Sequence, residues 1–199
     1  MANHTVKTRK EIHELLKQAV TNDKGWSLQG FGMFRYYLSK EWRLHVWDDR
    51  FRNPEGTRLH DHPWDFESFV IAGSITNHVF SWDSYGSLSS THHEYVIQCG
   101  PGGCDTGAQP KSVRLSRVSS HRYLSGESYS QLAHEIHDTE YERGTITLVR
   151  RVFKEDTEHA RVYAEWGQPW VSNEPRQADP IELRAALSTA LLRLVAEGL

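Results

Sequence analysis

Apolar positions between Thr5 and Val20 recur at helical spacing, with Ile12, Leu15, Leu16, Ala19 and Val20 on one stripe and lysines and glutamates opposite. Asn22-Asp23-Lys24-Gly25 then supplies a stop signal, so this segment is predicted to be an amphipathic helix. From Trp26 to Trp166 the pattern changes to short aromatic and β-branched runs broken by Gly, Pro, Asn and Asp. It predicts strands at Phe31–Leu38, Trp42–Asp48, Arg58–His62, Phe66–Ala72, Ser74–Phe80, Glu94–Ile97, Ser112–Leu115, His121–Leu124, Glu135–Glu140 and Thr145–Phe153. So many short strands argue for an all-β jelly-roll or barrel body. No internal repeat interrupts it.

Residues 172–179 are polar and carry Pro175, and read as a linker. Asp179-Pro180 then provides a cap and an N1 proline for a last helix, Pro180 to Ala196. Its apolar stripe, Leu183, Ala186, Leu187, Ala190, Leu191, Leu194 and Val195, has to be buried on the barrel or on a second copy of the chain. A homodimer is favoured, because closed two-fold symmetry is the commonest oligomeric arrangement. The expected organisation is an N-terminal helix over 1–25, a barrel over 26–171, and a linker with the C-terminal helix over 172–199.

At 199 residues the chain suits one core, and its 38% hydrophobic residues, with seven Trp, eight Tyr and seven Phe, suffice to fill it. The formal charge of −3 is spread over interspersed acids and bases, which gives no footprint for nucleic acid or a membrane surface. The N-terminus has no apolar leader and no stretch is long enough to span a bilayer, so the expected location is cytoplasmic. Cys99 and Cys104, spaced C-x4-C around Gly100-Pro101-Gly102-Gly103, lack the further ligands of a zinc site and read as loop thiols.

The chemistry is concentrated in Leu59-His60-Asp61-His62-Pro63-Trp64-Asp65-Phe66-Glu67, which leads to Gly73. Strand side chains alternate, so His60 and His62 project from one face and Asp61 from the other, and two imidazoles so placed can share a metal ion. A bare His-x-His is more often incidental. Here a distant segment adds His134-Glu135-Ile136-His137 ahead of another strand. The spacing of three between His134 and His137 keeps them off one strand face, so one of the two completes the set; His137 is favoured and His134 is the alternative. His78 could reach the cavity, and Arg43, Arg58 or Arg150 could fix a substrate carboxylate. Trp42, Trp47, Trp64, Tyr123 and Tyr129 read as packing residues, one or two of which could line the cavity.

These motifs resemble the cupin superfamily over most of residues 40–155. The family's first motif is a glycine, His-x-His, a later carboxylate and a second glycine, and its second motif centres on one histidine. The resemblance implies a double-stranded β-helix barrel holding one divalent metal, with His60, His62 and His137 as ligands. Three residues separate Gly56 from His60 where the motif has five, and the Pro-x-Gly before the second histidine is absent. Counting forward from His62 puts Glu67 at the carboxylate position; counting back from Gly73 puts Phe66 there. Leu-His-Asp-His at 59–62 is also similar to thiol dioxygenases such as cysteine and 2-aminoethanethiol dioxygenase, in which three histidines hold ferrous iron. His-Pro-Trp-Asp-Phe and Glu165-Trp166-Gly167 look like elements of a group of uncharacterised bacterial and phage cupin-like proteins. The implied activity is an Fe(II)-dependent dioxygenase acting on a small chelating substrate, thiol-like or amino-acid-like. Zn, Mn or Ni with isomerase, epimerase or lyase chemistry is the alternative, as is a non-enzymatic ligand-binding protein.

Overall fold

The structure, a computed structural model, describes residues 8–83, 89–100, 103–106, 109–152 and 159–198. It opens with α1 (Arg9–Thr21), started by a capping box in which Thr8 and Glu11 satisfy each other's backbone N–H groups. The strands are β1 (Trp26–Gln29), β2 (Phe31–Tyr37), β3 (Trp42–Arg52), β4 (Asp65–Ala72), β5 (Ser74–Trp82), β6 (His92–Val96), β7 (Gln98–Gly100) and β8 (Gly103–Asp105). They continue as β9 (Lys111–Val113), β10 (Leu115–Leu124), β11 (Ser128–Gln131), β12 (Ile136–Tyr141), β13 (Thr145–Val152), β14 (Arg161–Glu165) and β15 (Arg176–Gln177), and α2 (Pro180–Ala196) ends the chain's regular structure.

The first layer is a seven-stranded antiparallel sheet in the order β11-β4-β13-β3-β2-β1-β15. Its central strand β3 is buried on both faces, and its alternation assigns each face a task. Trp42, Leu44 and Val46 join Phe34, Ile71, Ile146 and Leu148 in a core beneath the two helices, to which the helices add Ile12, Leu16, Leu183, Leu187 and Leu194. Arg43, His45 and Trp47 point the other way, into a cavity.

The second layer holds β10-β5-β12 and β14-β6-β9, two three-stranded ladders. The segment around His60 joins them, bridging His137 of β12 on one side and Val162 of β14 on the other. Residues Leu59, Val113, Leu115, Ile136 and Tyr163 form a separate core on this layer. At Gly73 the chain turns from β4 into β5 with φ +80°; a Cβ there would lie 2.4 Å from Thr145 Oγ1, so only glycine fits this turn.

The all-β expectation holds as an antiparallel sandwich with two helices on its outside. Several elements differ from the reading of the sequence. Arg58–His62 contributes a bridge at His60 instead of a full strand. The fragments expected at Ser112–Leu115 and His121–Leu124 are served by β9 and the long β10, whose two faces are both largely exposed, so apolar alternation could not reveal its length. The expected linker contributes β15, which pairs with β1. Thr5 to Lys7 and Phe153, the outer ends of two expected elements, lie outside the described residues. Most of the stripe on α2 is buried within the chain, through Leu183, Ala186, Leu187, Ala190 and Leu194 with Leu191 packed against them, while Val195 is 57% exposed. Cys99 and Cys104 are opposite each other in the β7–β8 ladder.

Candidate metal centre

Between the two layers lies a cavity of about 70 Å³. The seven-stranded sheet lines it with Phe31, Met33, Arg43, His45, Trp47, Phe66, Ser68, Tyr129, Thr147 and Val149, and the opposite layer supplies His60, His62 and His137. The ligating atoms of these three histidines lie within 4.8 Å of one another, the geometry needed to hold one ion. Their ring centroids are 4.6 to 5.2 Å apart.

Backbone pairing sets this convergence. His60 and His137 exchange N–H···O bonds of 3.0 and 2.8 Å, so two residues 77 positions apart stand side by side on one sheet face. Asp61 faces away, as alternation requires, and is fully buried against β14, accepting from the Arg161 backbone at 2.6 Å and its guanidinium at 3.2 Å. His62 is held from behind by the 2.8 Å bond that its carbonyl accepts from His134 N–H.

Polar partners orient two of the rings. His60 Nδ1 is 2.7 Å from the Arg58 carbonyl, which can only accept, so the proton is on Nδ1 and the Nε2 lone pair is left to the cavity. His137 Nδ1 donates to Asn77 Oδ1 at 2.9 Å, and Asn77 Nδ2 donates to Gln131 Oε1 at 2.8 Å. His137 Nε2 is then a buried nitrogen with no hydrogen-bond partner among the described residues, which is what a metal ligand looks like before the metal binds. Stacking fixes the ring planes as well: Phe31 lies on His60 at 5.1 Å and Trp64 on His62 at 4.3 Å. Desolvation lowers the pKa of all three imidazoles, and for His62 the neighbouring His60 and His137 lower it further. Neutral imidazole is the form that ligates.

Two other sequence candidates fall outside the cluster. On β4 the cavity-facing positions are Phe66 and Ser68, while Glu67 pairs with Arg150 at 3.5 Å, its side chain 44% exposed. The register counted back from Gly73 is the one the structure adopts, and Phe66 packs on His62 where a carboxylate was expected. His134 occupies a turn with φ +62° and directs its ring at Arg161 and Asp61, on the far side of the bridge from the cavity. Of the arginines, Arg43 and Arg58 line the cavity and Arg150 does not. Trp47, Trp64 and Tyr129 line it too, whereas Trp42 belongs to the core under the helices. His78 is buried on β5 near Glu140, away from the cavity lining.

His45 belongs to no metal-binding motif in the sequence. It is buried in the cavity wall, with neither ring nitrogen hydrogen-bonded among the described residues. The signal lay in Trp42-Arg43-Leu44-His45-Val46-Trp47, where two polar residues share one face of an otherwise apolar strand.

Fold and site together define the class: an antiparallel β-sandwich protein with a three-histidine centre suited to one divalent cation. No protein-family model and no curated protein matches the chain. Among solved structures it is similar to hydroquinone 1,2-dioxygenase PnpCD in complex with Cd2+ and 4-hydroxybenzonitrile, at 11% identity and a TM-score of 0.37, over 78% of this chain and 81% of that one. It is also similar to the hydroquinone 1,2-dioxygenase from Sphingomonas sp. TTNP3 with 4-hydroxybenzoate bound, at 12% identity and a TM-score of 0.23, over 68% and 71%. At such scores neither likeness bears on what this chain does.

Proposed function

We propose that the chain is a cupin-type metalloenzyme that binds one divalent metal through His60, His62 and His137 and acts as a dioxygenase on a small substrate. The observation that carries the reading is the convergence of three imidazoles with no carboxylate among them, two with Nδ1 tied to an acceptor and Nε2 left to the cavity. A three-nitrogen set leaves coordination positions open and suits Fe(II) in oxygenases; Zn, Mn or Ni would fit the same ligands. When bound, the metal supplies a Lewis-acid centre at which a chelating substrate and O₂ can meet.

The chain's own residues supply the rest. Phe31 and Trp64 hold the imidazoles in plane, and Met33, Trp47, Phe66 and Val149 keep bulk water from the cavity. Tyr129 keeps its proton, its pKa pushed up to about 12 by burial, and presents a neutral hydroxyl. The test is O₂ consumption by iron-reconstituted protein across thiols, amino acids and phenols. Substrate-dependent uptake that is lost in His60→Ala and His137→Ala supports the reading, and none with any substrate contradicts it.

His45 favours a second reading. It is a buried imidazole on the same cavity with neither ring nitrogen hydrogen-bonded among the described residues, so it can meet a proton-bearing group of a bound substrate. Turnover under strict anaerobiosis would support a metal-dependent isomerase or lyase instead.

A further inference from the structure

The wall facing the histidine cluster carries a positive charge with no acidic partner among the described residues. Arg43 is 7% exposed and lines the cavity, and among the described residues it makes no ion pair. Its guanidinium lies 4.8 Å over the Trp64 ring and 5.9 Å over Tyr37, whose hydroxyl is its neutral hydrogen-bond partner, and its Nε has no hydrogen-bond partner among the described residues. The surroundings add more positive charge: Arg35 also lies over the Tyr37 ring, at 5.1 Å, and Arg151 acts on Arg43 as a second like charge. Desolvation first, and these cations next, push Arg43 down to about 9. Arg58, the other cavity arginine, is compensated by Asp138 at 3.0 Å. Two residues along the same strand face, His45 adds a buried ring with two unsatisfied nitrogens.

A buried cation without an anionic partner is costly, and so is a buried polar ring without partners. Both costs are offset if a ligand brings an anion and a hydrogen-bonding group. Phe31, Met33, Trp47, Phe66 and Val149 make much of the remaining lining apolar, beside the polar Ser68 and Thr147 and the Arg58-paired Asp138, so the ligand has a compact, largely apolar body. We propose that the cavity binds a small carboxylic acid, its carboxylate forked on Arg43, a polar atom on His45, and its other end directed at the three histidines. This rests on the reading of the cavity as a reaction chamber and names the substrate class for it. Arginine suits the role because its planar fork matches a carboxylate at two points, which a lysine cannot do.

Trp47 and Trp64 line the cavity, so tryptophan fluorescence reports its occupancy. The experiment titrates purified full-length protein with propionate and benzoate, and with the neutral propionamide and benzamide, while metal content is measured in parallel. At least one acid is expected to bind ten-fold or more tighter than its amide. Arg43→Met should abolish that preference, Arg43→Lys should keep part of it, and His45→Phe should weaken the acid without equalising it with the amide. If Arg43→Met does not fold, Arg43→Lys decides: an unchanged preference there overturns the proposal. Equal binding of acids and amides, or no binding of either acid, overturns it too. Metal retained without acid preference would sink this proposal and leave the metal reading standing. Acid preference in a protein that never takes up metal would do the reverse.

Discussion

Asn77→Ala probes whether the metal centre is built from behind. Asn77 touches no metal in the proposed arrangement; its Oδ1 accepts from His137 Nδ1 at 2.9 Å, and its amide donates to the buried Gln131 at 2.8 Å. Truncation frees the His137 ring to rotate or change tautomer, and loss of such a partner typically weakens metal binding 10- to 100-fold, about 1.4 to 2.7 kcal/mol. It also leaves Gln131 Oε1 buried without its donor, at a cost to stability of about 1–3 kcal/mol in either metal state. The two effects separate in two assays. Competition against a chromophoric chelator gives the affinity for Co²⁺ or Zn²⁺, and urea unfolding of metal-free protein gives the stability loss. Asn77→Asp keeps an acceptor for Nδ1 and should restore most of the affinity. Metal affinity of Asn77→Ala within two-fold of wild type, with the fold intact, would refute the claim that this contact orients His137.

Three further outcomes are expected. Metal-free protein should lose stability as pH falls below about 6.5, because burial lowers His45, His60, His62 and His137 and the unfolded chain then takes up protons that the fold refuses. Each ring contributes a slope of at most about 1.4 kcal/mol per pH unit, with none above that range; urea midpoints flat between pH 7.5 and 5 would contradict it. Glu67→Ala and His134→Ala should keep full metal content by elemental analysis, since both side chains lie outside the cluster, and loss in either would reinstate it as a ligand. Leu187→Ala should cost about 2–5 kcal/mol in chemical unfolding, because Leu187 is fully buried where α2 meets the sheet; a cost under 1 kcal/mol would mean that α2 is not packed there.

The parts of the chain that were legible in the sequence are those where burial is one-sided or chemistry is local. Pro180 to Ala196 was readable because a cap, an N1 proline and an apolar stripe agree. His60 and His62 were readable from alternation, and His137 from its position ahead of a strand. The choice between Glu67 and Phe66 stays open in the sequence because the turn at Pro63-Trp64 leaves the register of β4 open to two counts, and the sheet takes the one that buries Phe66. Asn77 and His45 could not be recognised by motif: Asn77 matters through a contact to the neighbouring strand, from β5 to the ring of His137 on β12, and His45 by facing from β3 into the cavity. The strand β14 and the bridge at His60 depend on pairing between residues 65 to 102 positions apart, which no local pattern encodes.

The most direct measurement is metal stoichiometry by elemental analysis of the full-length protein beside His60→Ala, His62→Ala and His137→Ala, each checked for folding by circular dichroism. The expected result is one equivalent of a divalent metal in the parent protein and loss of metal from each folded variant. One equivalent retained in all three folded variants, or none in the parent after reconstitution with iron, zinc, manganese and nickel, would contradict the three-histidine centre.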